Sequence, residues 1–385
     1  MPSLNPTIFK QTMSCHYLEL FPFSVSTSGD FSIFITSTKN IRAFGSVDKA
    51  LINDCANMGG LRYAKLELIA AGGQHILLLN ANGEVFSCGG SSFGQLGIVR
   101  QAVTNTVHSV KFPVKIQFIS AGTTHSLFLD EAGSVWCCGS NSTGELGTGN
   151  KVSLVLPQKN TNLPKIDYIS AGNNKSLFVD AAGCVWCAGY NANGQLGVGH
   201  KNHVFTPEKI EDLPSIDIVS AGAGSHCLFL DNTGTVWGCG DGKFGSIGTS
   251  DHKDRICPEI IAEVPQIQFI SAGYHSLLLD LTQQVWVLGL NNCGQLGLGD
   301  TENRFSPEPI ENLPLIVSLC AGGYHSLLVD SEGFGWSFGC NDFGQLGLAA
   351  TVEQAVEPTK IPELYSLKAN YNVPVHFQQK SARKL

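Results

Sequence analysis

The sequence is poor in charge and has no long apolar run. Charged residues make up only 15% of the 385 residues, whereas glycine occurs 43 times. This composition is typical of a glycine-turned β chain and disfavours a helical or disordered one. No apolar stretch approaches the roughly 18 residues that a membrane-spanning helix needs. These absences predict a soluble, all-β protein with no membrane contact.

The short motifs of common enzymes are also missing. The chain has no Gly-x-x-x-x-Gly-Lys sequence, no Gly-x-Ser-x-Gly elbow at a strand-to-helix junction and no His-Glu-x-x-His helix. Its net charge of −8 and isoelectric point near 5.7 oppose binding to nucleic-acid phosphates. We therefore expect no catalytic residue, no cofactor and no nucleic-acid partner.

Cysteine usage indicates neither a metal site nor disulfides. Cys184 and Cys187 stand three residues apart, but on a β-strand such residues face opposite sides and cannot share an ion. The chain has 13 cysteines, an odd number, and no signal-like segment opens it. We therefore expect free, buried thiols in a reducing compartment, which is the cytoplasm, with the nucleus as an additional location.

An internal repeat of about fifty residues fills most of the chain. One aromatic slot recurs in six copies, at Phe86, Trp136, Trp186, Trp237, Trp286 and Trp336. The glycine three residues after this aromatic recurs at spacings of 50, 50, 51, 49 and 50 residues. A weaker copy, with Gly45 at the glycine position and Arg42 in the aromatic slot, precedes them. The chain therefore contains seven units.

Each unit predicts four short strands. Apolar runs such as 119–121, 127–129 and 135–137 have strand length and are separated by glycine. An Asp-x-x-Gly sequence between the second and third runs suits a tight hairpin. A proline in the fourth run, as in 207–210, suits an edge strand. The units together predict a seven-bladed β-propeller of four-stranded antiparallel blades over residues 21–365, with a degenerate first blade.

Either end of the chain is able to supply the outer strand that closes this ring. Residues 5–9 and 357–361 both resemble an outer strand such as 206–210. If residues 1–20 contribute it, strand exchange between the chain ends locks the ring. If the carboxy-terminal segment contributes it, each blade is continuous. Residues 366–385 are expected to form a flexible tail.

The repeat resembles the regulator of chromosome condensation repeat. Three elements carry the resemblance: an Ala-Gly-x-x-His turn, a Val-Trp pair and a loop of the form Asn-x-x-Gly-Gln-Leu-Gly, over about residues 20–365. The resemblance implies a seven-bladed propeller. Members include exchange factors for the small GTPase Ran, propellers attached to ubiquitin ligases or kinases, and protein-binding adaptors. The family alone therefore leaves the activity open.

The Ala-Gly-x-x-His turn supplies two sets of candidate residues. We assign its histidines a structural role, because an imidazole next to a neighbouring strand can bond it; they are His75, His125, His226, His275 and His325, with Lys175 in the same slot. The positions before them have side chains typical of recognition surfaces. These candidate partner-binding residues are Asp30, Gln74, Thr123, Thr124, Asn173, Asn174, Ser225, Tyr274 and Tyr324.

The sequence thus favours a monomeric propeller that binds a protein partner as a scaffold or regulator. The alternatives are nucleotide exchange on a Ran-like or other small GTPase and substrate recognition within a ubiquitin-ligase assembly. The resemblance implies that exchange needs acidic or histidine side chains in this turn and a projecting wedge. Only Asp30 is acidic, and the blade spacing leaves no room for a long insertion. Phe93, Phe244 and Phe343, in the loops, are expected to pack between blades.

Overall fold

The structure, a computed structural model, describes residues 24–27, 31–35, 41–45, 66–99 and 103–362. These residues form β-strands joined by turns, and they include no α-helix. Accordingly, no described helix has the length and apolar character needed to cross a bilayer. The predicted all-β class is confirmed.

The strands form six four-stranded antiparallel blades and one three-stranded sheet. The amino-terminal sheet contains β1 (Ser24–Thr27), β2 (Phe31–Ile35) and β3 (Ile41–Gly45). We number the blades 1 to 6 along the chain. Blade 1 contains β4 (Leu66–Ala71), β5 (His75–Asn80), β6 (Val85–Gly90) and β7 (Val103–Val110). Blade 2 contains β8 (Ile116–Ala121), β9 (His125–Asp130), β10 (Val135–Gly139) and β11 (Leu154–Lys159).

The remaining four blades repeat this pattern. Blade 3 contains β12 (Ile166–Ala171), β13 (Lys175–Asp180), β14 (Val185–Gly189) and β15 (Val204–Lys209). Blade 4 contains β16 (Ile216–Ser220), β17 (His226–Asp231), β18 (Val236–Gly240) and β19 (Arg255–Ile260). Blade 5 contains β20 (Ile267–Ala272), β21 (His275–Asp280), β22 (Val285–Gly289) and β23 (Arg304–Pro309). Blade 6 contains β24 (Ile316–Ala321), β25 (His325–Asp330), β26 (Gly335–Cys340) and β27 (Gln354–Lys360).

The predicted number of four-stranded blades is wrong: the described residues form six rather than seven. The described part of the first unit forms only three strands, and it lacks the repeat's side chains at two slots, with Phe31 in place of the histidine and Arg42 in place of the aromatic. This sheet still lies between blades 6 and 1. Phe31 and Ile33 pack with Leu66 of blade 1, and Phe34 packs with Leu327 of blade 6.

The outer strand of the last blade comes from the carboxy-terminal segment, because β27 pairs with β26. Each of the six blades is therefore continuous in sequence. The segments 1–20 and 366–385 and the candidate Asp30 lie outside the described residues, so what was expected of them stays a prediction.

The hydrophobic core lies between blades. The second strand is buried on both sides in blades 1, 2, 4, 5 and 6, which explains the consecutive apolar residues in sequences such as Leu127-Phe128-Leu129. In one cluster, Leu127 and Leu129 of blade 2 pack with Ile166 and Phe178 of blade 3. Apolar burial is worth about 1.5–3 kcal/mol for a fully buried leucine or phenylalanine. Adjacent blades therefore stabilise one another.

A second link between blades lies at the ring's centre. A serine hydroxyl in the first strand accepts a hydrogen bond from an alanine N–H one blade further on, at 2.9–3.0 Å. The donor and acceptor pairs are Ala71 and Ser26, Ala171 and Ser120, Ala221 and Ser170, Ala272 and Ser220, and Ala321 and Ser271. First strands line a central cavity of about 260 Å³.

Candidate partner-binding face

The turns with the candidate residues and the glycine-rich loops emerge on the same face of the ring. In blade 2, Gly139 at the end of β10 pairs with His125 at the start of β9. The loop after Gly139 therefore leaves the blade beside the turn before His125. We call this side the turn face: turns 72–74, 122–124, 172–174, 222–225, 273–274 and 322–324, with loops 90–99, 140–153, 190–203, 241–254, 290–303 and 341–353.

The recurring glycine at the end of the third strand makes this arrangement possible. Gly139 has a φ of 108°, and an added Cβ would lie 2.5 Å from the carbonyl oxygen of Thr124. A side chain is disfavoured by both the backbone angle and the contact. The next residue, Ser140, donates its N–H to that carbonyl at 2.9 Å. The glycine thus holds the loop against the turn.

The histidines of the turn are buried between blades and do not line the face. Each places Nε2 within 2.6–3.0 Å of a serine hydroxyl in the next sheet. The pairs are His75 and Ser126, His125 and Ser176, His226 and Ser276, His275 and Ser326, and His325 and Ser32. The last pair joins blade 6 to the amino-terminal sheet.

Hydrogen bonding assigns the imidazole tautomer. Each serine hydroxyl donates to a backbone carbonyl in a glycine-rich loop, as Ser126 does to Gln95 at 2.7 Å. Since a hydroxyl has one proton, the serine oxygen must accept from a protonated Nε2. Burial lowers the pKa of His75, His226, His275 and His325 to about 3. These imidazoles are neutral at physiological pH.

His125, the histidine next to Glu145, also has a lowered pKa. Burial lowers the pKa of His125 to about 4, although Glu145 opposes that shift. Glu145 replaces the glutamine of the repeated loop, and its carboxylate accepts hydrogen bonds from the hydroxyls of Ser140 and Thr143 and from the Thr143 N–H. We call each contact between this slot and the next sheet a joint. None of these histidines is placed to act as a general base on an external molecule.

Lys175 makes the joint between blades 3 and 4 differently. Its fully buried Nζ donates to the carbonyl oxygens of Gly222 and Gly224, at 3.0 and 2.6 Å. The turn it reaches contains one extra residue, and Cys227 stands where blades 2, 3, 5 and 6 have the serine. Burial lowers the pKa of Lys175, and the thiols of Cys227 and Cys239 oppose that shift. Three sequence differences thus combine in one altered joint.

The aromatic slot is tied to the hairpin turn of its own blade. Each tryptophan Nε1 donates to the aspartate that opens the turn, at 3.0–3.1 Å. The pairs are Trp136 and Asp130, Trp186 and Asp180, Trp237 and Asp231, Trp286 and Asp280, and Trp336 and Asp330. Where Phe86 lacks the N–H, Asn80 replaces the aspartate and bonds the Asn82 and Glu84 N–H groups. These residues position turns on the opposite face.

The candidate partner-binding residues all lie on the turn face, apart from Asp30, which is outside the described residues. Tyr274 and Tyr324 are 37% and 38% exposed, and their ring centroids lie 5.0 Å apart with an interplanar angle of 31°. Gln74 is exposed, whereas Thr123, Thr124, Asn173, Asn174 and Ser225 are half-buried. The structure therefore brings together the two tyrosines, which are fifty residues apart in sequence.

The expected packing of three loop phenylalanines between blades is wrong. Phe93, Phe244 and Phe343 are 49%, 37% and 53% exposed. Each is followed by a loop glycine. Gly94 and Gly245 lie against the outer strand of the next blade, whereas a Cβ added at Gly344 would contact no other atom of the described residues. The sequence feature that could have predicted their position is the glycine at the end of the third strand. It pairs with the histidine that begins the second strand, so the loop and the turn lie on the same face.

The described residues contain no group of three or more histidine, cysteine, aspartate or glutamate side chains arranged to hold a metal ion. The thiols of Cys137, Cys187, Cys227 and Cys239 are buried, and burial raises the pKa of Cys137 to about 12.

Comparisons with known proteins agree with this geometry. A model of the regulator of chromosome condensation (RCC1) repeat matches residues 82–129, 132–179, 182–230, 283–329 and 332–375. A second model of the same repeat matches residues 67–95, 116–145 and 216–246. No curated protein matches the chain significantly by sequence.

Solved structures share the fold. Human WBSCR16 has a TM-score of 0.71 at 22% identity, covering 78% of this chain and 82% of its own. Prp20p from Saccharomyces cerevisiae, studied for binding to Gsp1p and histones, has 0.72 at 24% identity, covering 80% of this chain and 79% of its own. Yeast RCC1 (Prp20) bound to Kap60 has a TM-score of 0.75 at 21% identity, covering 90% of this chain and 86% of its own.

Proposed function

Because the chain belongs to the regulator of chromosome condensation repeat family, we propose that it is a protein-binding propeller that acts as a scaffold or regulator. The stacked, partly exposed Tyr274 and Tyr324 on the turn face carry this proposal. Tyrosine is enriched at protein interfaces and among the residues that dominate binding energy. Solved relatives with this fold are known with protein partners, namely Gsp1p, histones and Kap60.

Buried chemistry supports a binding role over a catalytic one. The histidines that recur around the ring are neutral and face serines of the next sheet. Lys175, the one lysine in their slot, is enclosed by backbone carbonyls. Their side chains therefore hold blades together, and the turn face is left with side chains suited to recognition.

A capture experiment with a matched control tests the binding proposal. Tyr274→Ala with Tyr324→Ala removes the aromatic pair, and Leu281→Ala with Leu315→Ala removes two exposed apolar side chains next to strand ends on the opposite face. Each purified protein captures partners from a cell extract, and the captured proteins are quantified. We expect the tyrosine variant to lose a stoichiometric partner that the leucine variant retains. Equal capture by both variants would sink the proposal.

Nucleotide exchange on a small GTPase is the second candidate function. The likeness to Prp20p, studied for its binding to Gsp1p, favours it. Within residues 66–99 and 103–362, however, every strand belongs to a blade, so these residues supply no projecting hairpin. We expect the protein to leave the release of a fluorescent guanine nucleotide from Ran unchanged. Accelerated release that Asp30→Ala abolishes would place exchange first.

A further inference from the structure

Four of the five exposed aromatic side chains described on the turn face lie in one sector, and the fifth, Phe93, lies in the loop of blade 1. Blades 5 and 6 place Tyr274 and Tyr324 immediately before the histidine, where blades 1 to 3 have Gln74, Thr124 and Asn174. Exposed Phe244 and Phe343 lie in the loops of blades 4 and 6. We call Tyr274, Tyr324 and the loops 241–254, 290–303 and 341–353 the tyrosine sector. The repeat is thus chemically asymmetric on this face, which favours recognition over a role common to all blades.

The backbone under both tyrosines is fixed by neighbouring loops. The Ser246 hydroxyl donates to the Tyr274 carbonyl oxygen at 2.8 Å, and the Cys340 N–H donates to the Tyr324 carbonyl oxygen at 2.8 Å. The two rings then rest on each other across the boundary between blades 5 and 6. A binding surface ordered in advance loses less conformational entropy when a partner binds.

Charge differs between this sector and the rest of the turn face. The three loops of the sector contain seven acidic and two basic residues. Loops 90–99, 140–153 and 190–203 contain one acidic residue, the buried Glu145, and two lysines. The sector is therefore the acidic part of the face.

Some of these carboxylates are already neutralised, but others are not. Asp251, Asp254 and Asp300 form salt bridges with Arg255, Lys201 and Arg304. Asp241, Glu302, Asp342 and Glu353 form none within the described residues.

Two of the unpaired carboxylates lie close to the backbone that holds the turns. The Asp241 N–H donates to the Ser225 carbonyl, in the turn of blade 4. Asp342 approaches the Cys340 thiol at 3.1 Å, and the Cys340 N–H in turn bonds Tyr324. Asp342 thus places negative charge beside the backbone that holds Tyr324, and Asp241 lies at the neighbouring turn of blade 4.

We infer that the tyrosine sector binds an arginine- or lysine-bearing segment of a partner protein, which rests on the proposed binding role of the turn face. A cationic side chain over a tyrosine ring gains cation–π attraction of about 0.5–2 kcal/mol. The carboxylates of Asp241 and Asp342 complement its charge and steer its approach. Arginine fits best, because its planar guanidinium stacks on aromatic faces and binds carboxylates with two donors.

Defined peptides test this partner chemistry directly. The probes are fluorescein-labelled 15-residue peptides of glycine and serine that carry four arginines, four lysines, four glutamates or no charge, and binding is followed by anisotropy. We expect the arginine peptide to bind more tightly than the uncharged one and the glutamate peptide not to bind. Tyr274→Ala with Tyr324→Ala should weaken arginine-peptide binding about five- to tenfold. Tyr274→Phe with Tyr324→Phe should retain it, because a phenyl ring keeps the cation-binding face.

A matched pair of charge variants separates a defined site from general attraction to an acidic protein. Asp342→Asn removes a carboxylate from the sector, and Glu131→Gln removes an exposed carboxylate from the opposite face. We expect only Asp342→Asn to weaken arginine-peptide binding. Equal weakening by both, or no weakening by the tyrosine variant, would overturn the inference. Thermal unfolding of each variant confirms that it is folded.

The inference and the binding role fail in different ways. If Tyr274→Ala with Tyr324→Ala abolishes partner capture but arginine and uncharged peptides bind alike, the turn face binds proteins and the cationic partner is wrong. If partner capture is unaffected by the tyrosine variant, the binding role itself fails and the inference falls with it.

Discussion

In the hairpin turn of blade 5, one residue that departs from the repeat is expected to lower the stability of the fold. Four blades place a glycine with positive φ at the third position after the turn aspartate, as at Gly133 with 81°. Blade 5 has Gln283 there, and it adopts a φ of 68° with its buried Oε1 unpartnered. The left-handed conformation costs an ordinary L-residue roughly 1–2 kcal/mol. Gln283 is therefore a site of strain.

Gln283→Gly should raise the free energy of unfolding by about 1 kcal/mol, because glycine tolerates this conformation and the unpartnered oxygen is removed. Urea unfolding at equilibrium measures the change. Gly133→Gln is the reverse substitution in blade 2 and should destabilise, since its Cβ would lie 2.5 Å from a carbon of Lys165. An unchanged or lower stability of Gln283→Gly would contradict the account.

The parts of the fold that the sequence predicts are those held by residues that act within a single blade. The tryptophan, the turn aspartate and the glycine recur at fixed spacing, and each acts within its own blade, so local pattern suffices to place the strands. The contact between Tyr274 and Tyr324 depends instead on how blades 5 and 6 sit beside each other. Sequence therefore placed these side chains in equivalent turns but did not predict that their rings meet.

The first unit illustrates the limit at the scale of elements. The local sequence pattern predicted four strands for each unit, with a degenerate first blade, and the described residues of this unit form three. Phe31 and Arg42 replace the histidine and the aromatic there, whereas each four-stranded blade has an aromatic in one slot and a histidine or Lys175 in the other. Among the described residues, the unit that departs from the repeat at both slots is thus the one that forms three strands.

The joint between blades 3 and 4 depends on a buried ammonium group, and its loss should be costly. Lys175→Met leaves the Gly222 and Gly224 carbonyl oxygens without their donor, so we expect the free energy of unfolding to fall by about 3 kcal/mol. Urea unfolding measures the loss. Lys209→Met removes an exposed lysine from the outer strand of blade 3, and should change the free energy of unfolding far less, because exposed charges contribute little to stability. Similar losses in both variants would contradict this role.

At the scale of the whole molecule, the buried histidines make stability depend on pH. Their pKa values are about 3 for four of them and about 4 for His125 in the folded protein, against about 6.5 in an unfolded chain. Between these values the unfolded chain binds more protons. Stability is therefore fully present above about pH 6.5 and falls as the pH decreases toward the folded pKa values.

Unfolding free energies measured between pH 6.5 and 5 should show this fall, with a limiting slope of about 1.4 kcal/mol per pH unit for each histidine. His275→Gln keeps an N–H donor for Ser326 and removes one titrating group, so its slope should be smaller by up to that amount. Parallel curves for the parent protein and His275→Gln would contradict the role of burial.

The bond between His325 and Ser32 has a consequence for how such a ring changes in evolution. It closes the ring with the same donor and acceptor that join neighbours elsewhere, although its partners are 293 residues apart. A gene duplication that inserts one whole unit would bring both a new donor and a new acceptor, wherever in the unit the breakpoints fall. A ring of this kind is thus able to gain a blade without inventing a contact, while an insertion of part of a unit breaks two joints at once.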